Sequence, residues 1–176
     1  HARPDGVVIV GRGRDDLRMA KQIAESGINA GAAVAVAAGI QEFQDELGSL
    51  AQGYVGPSQW EPEAADTPDF GPTADQVIAS LRRDGHRHVD YPLAQAYAAG
   101  VVVEKCLEEA GSADNLAMRE AASNLDFLTF YGRFNIDRET GRQIGRETLL
   151  VQWQGGRKVI VWPPKLAQGE QVYPWR

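Results

Sequence analysis

The sequence predicts an α/β fold with a parallel sheet, and three observations near its start carry this prediction. The apolar run GVVIVG (residues 6–11) is continuous, as is typical of a strand buried on both faces. Apolar residues at helical spacing follow in residues 14–26. The pattern then repeats with a strand at residues 33–38, a helix at residues 41–52 and a short strand at residues 53–56. Two βα units followed by a strand imply parallel strands joined by right-handed crossovers, although three strands are too few for a doubly wound sheet.

Each of these two helices has its own start and stop signals. Asp15 and Asp16 open the first helix, where carboxylates favour the helix dipole, and Gly27 ends it. Gly39 forms the turn before the second helix, which places Phe43 and Leu47 on one face.

The composition changes in residues 57–72, PSQWEPEAADTPDFGP, which contain four prolines and four carboxylates. Proline removes backbone donors and interrupts both helices and strands. This segment is therefore predicted to be a loop or linker rather than a packed element.

Three helices are expected after this linker. Thr73 and Gln76 form a capping-box pattern at the start of the first. The second is expected from Pro92 to Glu109, ended by Gly111, and the third covers residues 115–123. The second helix is predicted to turn four side chains inward: Leu93, Tyr97, Val101 and Leu107.

The last third of the chain has a strand-like composition. FLTFYGRF (residues 127–134) is aromatic and β-branched, which favours a strand. Two further strand-like runs, TLLVQWQ and RKVIVW, flank Gly155 and Gly156. A Gly-Gly pair between such runs predicts a β-hairpin.

Composition excludes several classes of protein. The chain has 176 residues, of which 43% are hydrophobic and 24% charged, so it resembles an ordinary globular protein. Its net charge of −6 is unfavourable for nucleic-acid binding. The longest apolar run, residues 30–40, is well short of the roughly 20 residues that span a bilayer. Cys106 is the only cysteine, so no internal disulfide can form.

Motifs for catalysis, metals and cofactors are weak. GRGRDD (residues 11–16) resembles half of a dinucleotide fingerprint, but Asp16 stands where the third glycine should be and would repel phosphate. His86 and His88 have no third ligand nearby, and Cys106 is surrounded by apolar residues as a packing thiol would be. No serine lies in a nucleophile-elbow pattern. We therefore expect no catalytic residue, no metal site and no cofactor.

A ligand site is expected beyond the carboxyl ends of the first two strands, because open α/β sheets bind small molecules there. The residues at these ends are Arg12 and Gly13 on the first loop and Ala38, Gly39 and Ile40 on the second. Arg12 could offer its guanidinium to a carboxylate. The alternative is a surface arginine paired with the neighbouring aspartates 15 or 16.

Four segments, taken together, resemble a known family. They are GYVGPSQWEP (residues 53–62), DYPLAQAYAAGVVVEKCLEEAGSADN (90–115), LDFLTFYGRFNIDRETGRQIG (125–145) and LLVQWQGGRKVIVWP (149–163). The chain resembles type I periplasmic solute-binding proteins of ABC importers, and among these the branched-chain amino-acid-binding class. The similarity covers nearly the whole chain in order, and it corresponds to the later part of such a protein.

The resemblance implies two three-layer α/β/α Rossmann-like lobes joined by hinge crossings, with only the later part of each lobe present. Residues 1–55 would be the second half of the C-terminal lobe, and residues 56–72 a hinge crossing and linker. Residues 73–148 would supply the later helices and strand of the N-terminal lobe. Residues 149–176 would return to the C-terminal lobe.

The function implied by the resemblance is capture of a small amino acid or an organic or aromatic acid between the lobes, followed by delivery to the membrane permease. An aromatic residue often stands in the family where this chain has Arg12, and an acidic residue often stands where it has Ala38. The missing acid at Ala38 disfavours a leucine-like ammonium, whereas Arg12 favours an anionic or aromatic acid. The resemblance places the protein in the periplasm or outside the cell, with lipid anchoring through a preceding N-terminus as an option.

Two other readings remain open. The same bilobed fold serves as a ligand-sensing domain of regulators and receptors, because fold does not fix function. A nucleotide-cofactor enzyme is less favoured, since Asp16 opposes a phosphate at the first helix.

Overall fold

A computed structural model describes residues 4–175, and the chain divides into two compact units. Unit 1 comprises His1–Gln59 together with Thr148–Arg176, and unit 2 comprises Trp60–Glu147. Unit 1 is therefore assembled from two separate stretches of chain, whereas unit 2 is continuous.

The helices and strands alternate in unit 1 and are segregated in unit 2. Unit 1 begins with β1 (Gly6–Ile9), α1 (Arg14–Glu25), β2 (Ala32–Ala35), α2 (Gln41–Leu47) and β3 (Val55–Ser58). Unit 2 contains α3 (Ala74–Arg83), α4 (Tyr91–Ala110), α5 (Asn115–Asn124), β4 (Asp126–Thr129) and β5 (Gly132–Asn135). Unit 1 ends with β6 (Leu149–Gln154) and β7 (Arg157–Trp162).

Within residues 4–175, the sheet of unit 1 has five strands in the order β1-β2-β3-β6-β7. The first three are parallel, as the βα repeats predict, and Ile9 pairs with Ala35 at their ends. The predicted hairpin around Gly155 and Gly156 is confirmed, and both glycines have positive φ. Its first strand pairs antiparallel with β3, which extends the sheet beyond the three strands that the first stretch supplies.

The expectation that the first strand is buried on both faces is wrong. Ile9 is buried, but Val8 and Val10 are 68% and 76% exposed. The cause is that β1 lies at the edge of the sheet, and only the face carrying Ile9 packs against the core. A run of apolar residues shows that a strand is hydrophobic, but it does not show whether one or both faces of the strand are covered by other elements.

Three predicted boundaries in unit 1 also need correction. The second strand ends at Ala35, because Val36–Gly39 turn into a short 3₁₀ helix. The second helix ends at Leu47, since Gly48 has a φ of 55° and Gly48–Ala51 continue as 3₁₀. The third strand lies two residues later than predicted, at Val55–Ser58.

The core of unit 1 combines many alanines with a few large aromatic rings. Phe43 and Tyr54 meet edge to face at 5.2 Å, and the Tyr54 hydroxyl donates to the carbonyl of Ala20 at 2.8 Å. Small side chains on α1 and β2 leave room for these rings, so the layers interdigitate.

The end of the described chain crosses unit 1 as a C-terminal strap (residues 170–175). The backbone N–H of Val172 donates to Gln152 Oε1 at 2.7 Å, and Gln152 Nε2 donates to the carbonyls of Val172 and Gly53. The backbone N–H of Trp175 donates to the carbonyl of Gly31 at 2.8 Å. Gly31 is the residue before β2 and Gly53 lies two residues before β3, so the strap covers the amino edge of the parallel strands.

The helices of unit 2 largely follow the prediction. The capping box between Thr73 and Gln76 is confirmed, and Gly111 ends α4 in the left-handed conformation with a φ of 60°. The prediction that Leu107 points inward is wrong, because this side chain is 38% exposed. The buried residues of α4 are Ala94, Ala98, Val101 and Cys106.

Two further corrections concern the aromatic residues of unit 2. The segment at residues 127–134 is two strands rather than one, paired antiparallel around a turn at Phe130 and Tyr131. The predicted linker is also partly packed, because Trp60 is buried and its Nε1 donates to the carbonyl of Phe130 at 2.9 Å. Phe70 meets Phe127 edge to face. The prolines do not exclude regular structure here, since Pro57 lies in β3 and Pro62–Ala64 form a short 3₁₀ helix, and the aromatic rings enter a core.

Across residues 4–175, none of the helices combines the length and the apolar character that a membrane crossing requires.

Candidate functional site

The loops after β1 and β2 lie side by side at the carboxyl edge of the sheet in unit 1. Their strands are parallel neighbours in register from Gly6 and Ala32 to Ile9 and Ala35, so both chains leave the sheet at the same end. We call these the first loop (residues 10–13) and the second loop (residues 36–40). All five residues expected to bind a ligand lie on them.

The first loop presents Arg12 and Gly13 to solvent. Gly13 is the N-cap of α1, has a φ of 49° and makes no side-chain cap. Arg12 is exposed, and within the described residues no ion pair links it to Asp15 or Asp16. Its guanidinium is therefore placed where an arriving anion could meet it.

The middle of the second loop is buried, whereas Val36 is exposed, and the loop is held from several sides. Ala38 and Gly39 are buried, and the carbonyl of Ala38 accepts a hydrogen bond from Trp153 Nε1 at 2.8 Å. Lys158 Nζ donates to the carbonyl of Gly39 at 3.3 Å. Ile40 is half-buried and is the N-cap of α2. The loop is therefore a rigid platform, and the Ala38 side chain faces the core rather than solvent.

Close backbone packing from β3 fixes this platform further. A Cβ added to Gly56 would lie 2.5 Å from the backbone nitrogen of Gly39 and 2.6 Å from the carbonyl carbon of Ala38. Only glycine permits such an approach.

Asp16 also belongs to this edge of the sheet, although the sequence did not predict it as a site residue. It is 1% exposed, and its Oδ2 accepts the backbone N–H of Ala37 at 2.8 Å. This hydrogen bond ties the first turn of α1 to the second loop. The only signal in the sequence was that an aspartate replaced the expected third glycine of GRGRDD.

Other candidate groups behave as packing or surface residues. Cys106 is buried, and this burial raises the pKa of its thiol, so the reactive thiolate is disfavoured. His86 and His88 are exposed. Within residues 4–175 no cluster of three or more metal-ligating side chains occurs.

Unit 2 contains a groove of its own, of about 350 Å³, between α4 and the β4–β5 hairpin. Its walls are mostly apolar, and Arg146 stacks over the ring of Tyr131 at 4.1 Å. Burial raises the pKa of the Tyr131 hydroxyl, which donates to the carbonyl of Tyr91 at 3.3 Å. No residue of this groove was expected to bind a ligand.

Comparison with protein families gives one match that covers most of the chain. A family model described as periplasmic binding protein matches residues 1–158. A search among curated proteins gives no match.

Solved structures share the fold at low sequence identity. The leucine-binding protein LivK of Thermotoga maritima is 22% identical, with a TM-score of 0.73 over 89% of this chain and 43% of its own. LivJ of Streptococcus pneumoniae, solved with isoleucine, is 16% identical, with a TM-score of 0.70 over 97% of this chain and 45% of its own. An ABC-transporter solute-binding protein of Rhodopseudomonas palustris, solved with benzoate, is 15% identical, with a TM-score of 0.64 over 89% and 42%.

These similarities confirm the predicted fold class, an α/β fold of the type I periplasmic binding kind. The chain spans less than half the length of each of these structures.

Proposed function

Because this chain belongs to the periplasmic binding protein family, we propose that it is a solute-binding component of an ABC importer. In this role it captures a small amino acid or an organic or aromatic acid outside the cytoplasm and delivers it to the membrane permease. Binding rather than turnover is the proposed activity.

The observation that carries this proposal is the arrangement at the carboxyl edge of unit 1. An exposed arginine on a glycine turn stands beside a loop that is fixed by a hydrogen bond to Asp16 and by hydrogen bonds from Trp153 and Lys158. Small-molecule sites of open α/β sheets lie beyond the carboxyl ends of the strands, are largely formed before the ligand arrives and carry a few polar groups that orient it. Arg12, Gly13 and Ile40 supply its surface, and Ala38 and Gly39 supply its support.

The proposed ligand carries a carboxylate. A guanidinium binds a carboxylate through two parallel hydrogen bonds, which fixes orientation as well as charge. The solved relatives were crystallised with isoleucine in one case and benzoate in another, and both of these molecules contain a carboxylate.

We also propose that unit 1 corresponds to the C-terminal lobe and unit 2 to the later part of the N-terminal lobe. Closure of the lobes on ligand binding belongs to this proposal. Small-angle X-ray scattering tests it, because the radius of gyration should fall when ligand is added.

Isothermal titration calorimetry of the chain against amino acids and nitrogen-free carboxylic acids tests the binding role. We expect Arg12→Ala to weaken binding by about tenfold or more, since a charge-assisted hydrogen bond contributes roughly 1.5–3 kcal/mol. Arg18→Ala is the matched control, because Arg18 is an exposed arginine farther along α1. Equal affinities for both variants and the unmodified chain would remove Arg12 from the site.

A further inference from the structure

Asp16 has one carboxylate oxygen that the fold uses and one that it does not. Oδ2 accepts the backbone N–H of Ala37, whereas no donor in the described part of the chain reaches Oδ1. A buried carboxylate oxygen without a donor is destabilising, because burial removes its hydration without replacement. Such an atom indicates that its hydrogen-bond donor is supplied by another molecule, such as a ligand.

The position of Oδ1 connects it to the proposed ligand site. Oδ1 lies against Gly11, at the carboxyl end of β1, where a Cβ added to Gly11 would be only 2.5 Å from it. Gly11 leads directly into Arg12 and Gly13. The unused acceptor therefore lies beneath the first loop, while the other oxygen of the same carboxylate holds the second.

The backbone of Gly11 is the part of the first loop that lies against Oδ1. Gly11 has no side chain, and Gly13 already has a positive φ. A shift of this turn would open Oδ1 to a ligand, and glycine favours such a shift because it has access to more backbone conformations than other residues.

We propose that Asp16 determines specificity, with Oδ1 accepting a hydrogen bond from an amine or hydroxyl of the ligand. This inference rests on the proposed function and narrows its ligand class. The preferred ligand carries two groups close together, a carboxylate for Arg12 and a donor for Asp16, as α-amino and α-hydroxy acids do. A carboxylic acid without a donor leaves Oδ1 buried and unpartnered, and binds more weakly.

Calorimetry with ligands that differ only in the donor tests this inference. One set is L-leucine, 2-hydroxy-4-methylpentanoate and 4-methylpentanoate, and the second is L-phenylalanine, 3-phenyllactate and 3-phenylpropanoate. We expect the unmodified chain to bind the best donor-bearing member of a set about tenfold more tightly than the member without a donor.

Asp16→Asn is the decisive variant. Its amide oxygen can still accept from Ala37, while its NH₂ group stands where Oδ1 was and cannot accept a hydrogen bond. The tenfold preference should therefore fall to about twofold or less, with the melting temperature of the unliganded chain retained. Asp15→Asn, which removes a neighbouring exposed carboxylate, should leave the preference unchanged.

Gly11→Ala is a second test of the role of Oδ1, and it leaves the Asp16 carboxylate in place. The added methyl group would stand against Oδ1, so the preference for donor-bearing ligands should be lost here too. An unchanged preference in both Asp16→Asn and Gly11→Ala would overturn the inference while leaving the proposed function intact. So would a melting temperature of Asp16→Asn as low as that of Asp16→Ala, because Oδ1 would then serve the fold. If the unmodified chain binds none of the six compounds, the proposed function itself fails, and the inference fails with it.

Discussion

The amino and carboxyl edges of the parallel strands in unit 1 differ in how far their polar groups are satisfied. At the amino edge the C-terminal strap brings donors to acceptors, as where Gln152 binds both backbone groups of Val172. At the carboxyl edge an arginine is exposed, and a buried carboxylate oxygen has no donor among the described residues. The first edge is organised for stability, and the second has retained polar groups that the fold does not need.

This difference suggests how a binding edge can be recognised within one sheet. Satisfied polar groups lower the free energy of the folded chain, whereas an unsatisfied one raises it unless a ligand completes it. Substitutions at the amino edge should therefore change stability alone. Substitutions at the carboxyl edge should change binding, with or without a change in stability.

Trp175→Ala should have the largest effect, and it should act on stability. Trp175 is 4% exposed, meets the Tyr54 ring at 5.0 Å and donates from Nε1 to the carbonyl of Gln52. We expect a loss of about 3–5 kcal/mol in the free energy of unfolding, measured by urea denaturation. Trp162→Ala is the control, since Trp162 is 51% exposed and should cost much less. Similar losses for the two variants would contradict the role given to the strap.

Two glycine substitutions, one at each edge, should show that only the carboxyl edge affects ligand binding. Gly56→Ala would place a methyl group against the backbone of the second loop, and Gly53→Ala would place one against Trp175 with a φ of 81°. Each should lower the free energy of unfolding by about 1–3 kcal/mol. Calorimetry at a temperature where both variants are folded should show weaker ligand binding only for Gly56→Ala. Equal binding by the two would mean that the second loop does not shape the site.

Asp126→Asn should have the smallest effect and gives a reference for an exposed, paired carboxylate. The hydrogen bond from Arg133 Nε, 2.6 Å long, lowers the pKa of Asp126 in the folded chain. The stability that this ionised carboxylate contributes is therefore fully present at a pH above the pKa of Asp126 in the unfolded chain. It is lost as the pH falls through the lower pKa of Asp126 in the folded chain. Melting temperatures of the two chains should differ slightly at neutral pH and converge in acid. A difference in melting temperature that widens in acid would contradict a lowered pKa of Asp126 in the folded chain.

The sequence was sufficient for elements whose signals are local. The βα repeats, the Gly-Gly hairpin, the Thr73 capping box and the end of α4 at Gly111 all depend on residues close together in the chain. Exposure of the β1 face and the packing of Trp60 depend on what lies beside them in space. Periodicity carries no information about such neighbours, so both were predicted wrongly.

The candidate site shows the same division. The carboxyl-edge loops could be located because strand direction fixes where parallel strands end. Burial of Ala38 could not be foreseen, since it results from hydrogen bonding by Trp153 and close packing by Gly56, far along the chain. From the sequence, Asp16 is a carboxylate at the start of a helix, a candidate partner of Arg12 and a poor match to a phosphate motif. Its significance depends on the unequal surroundings of its two oxygens, which no sequence pattern encodes.

The discontinuity of unit 1 has a consequence for biosynthesis. On the ribosome, β3 emerges before all of Trp60–Glu147, and its antiparallel partner β6 emerges after them. The nascent chain therefore carries an unpaired strand edge while the continuous unit is still being translated, and such edges invite intermolecular association. We expect unit 2 to fold first, and the sheet of unit 1 to be completed only when the β6–β7 hairpin has been synthesised.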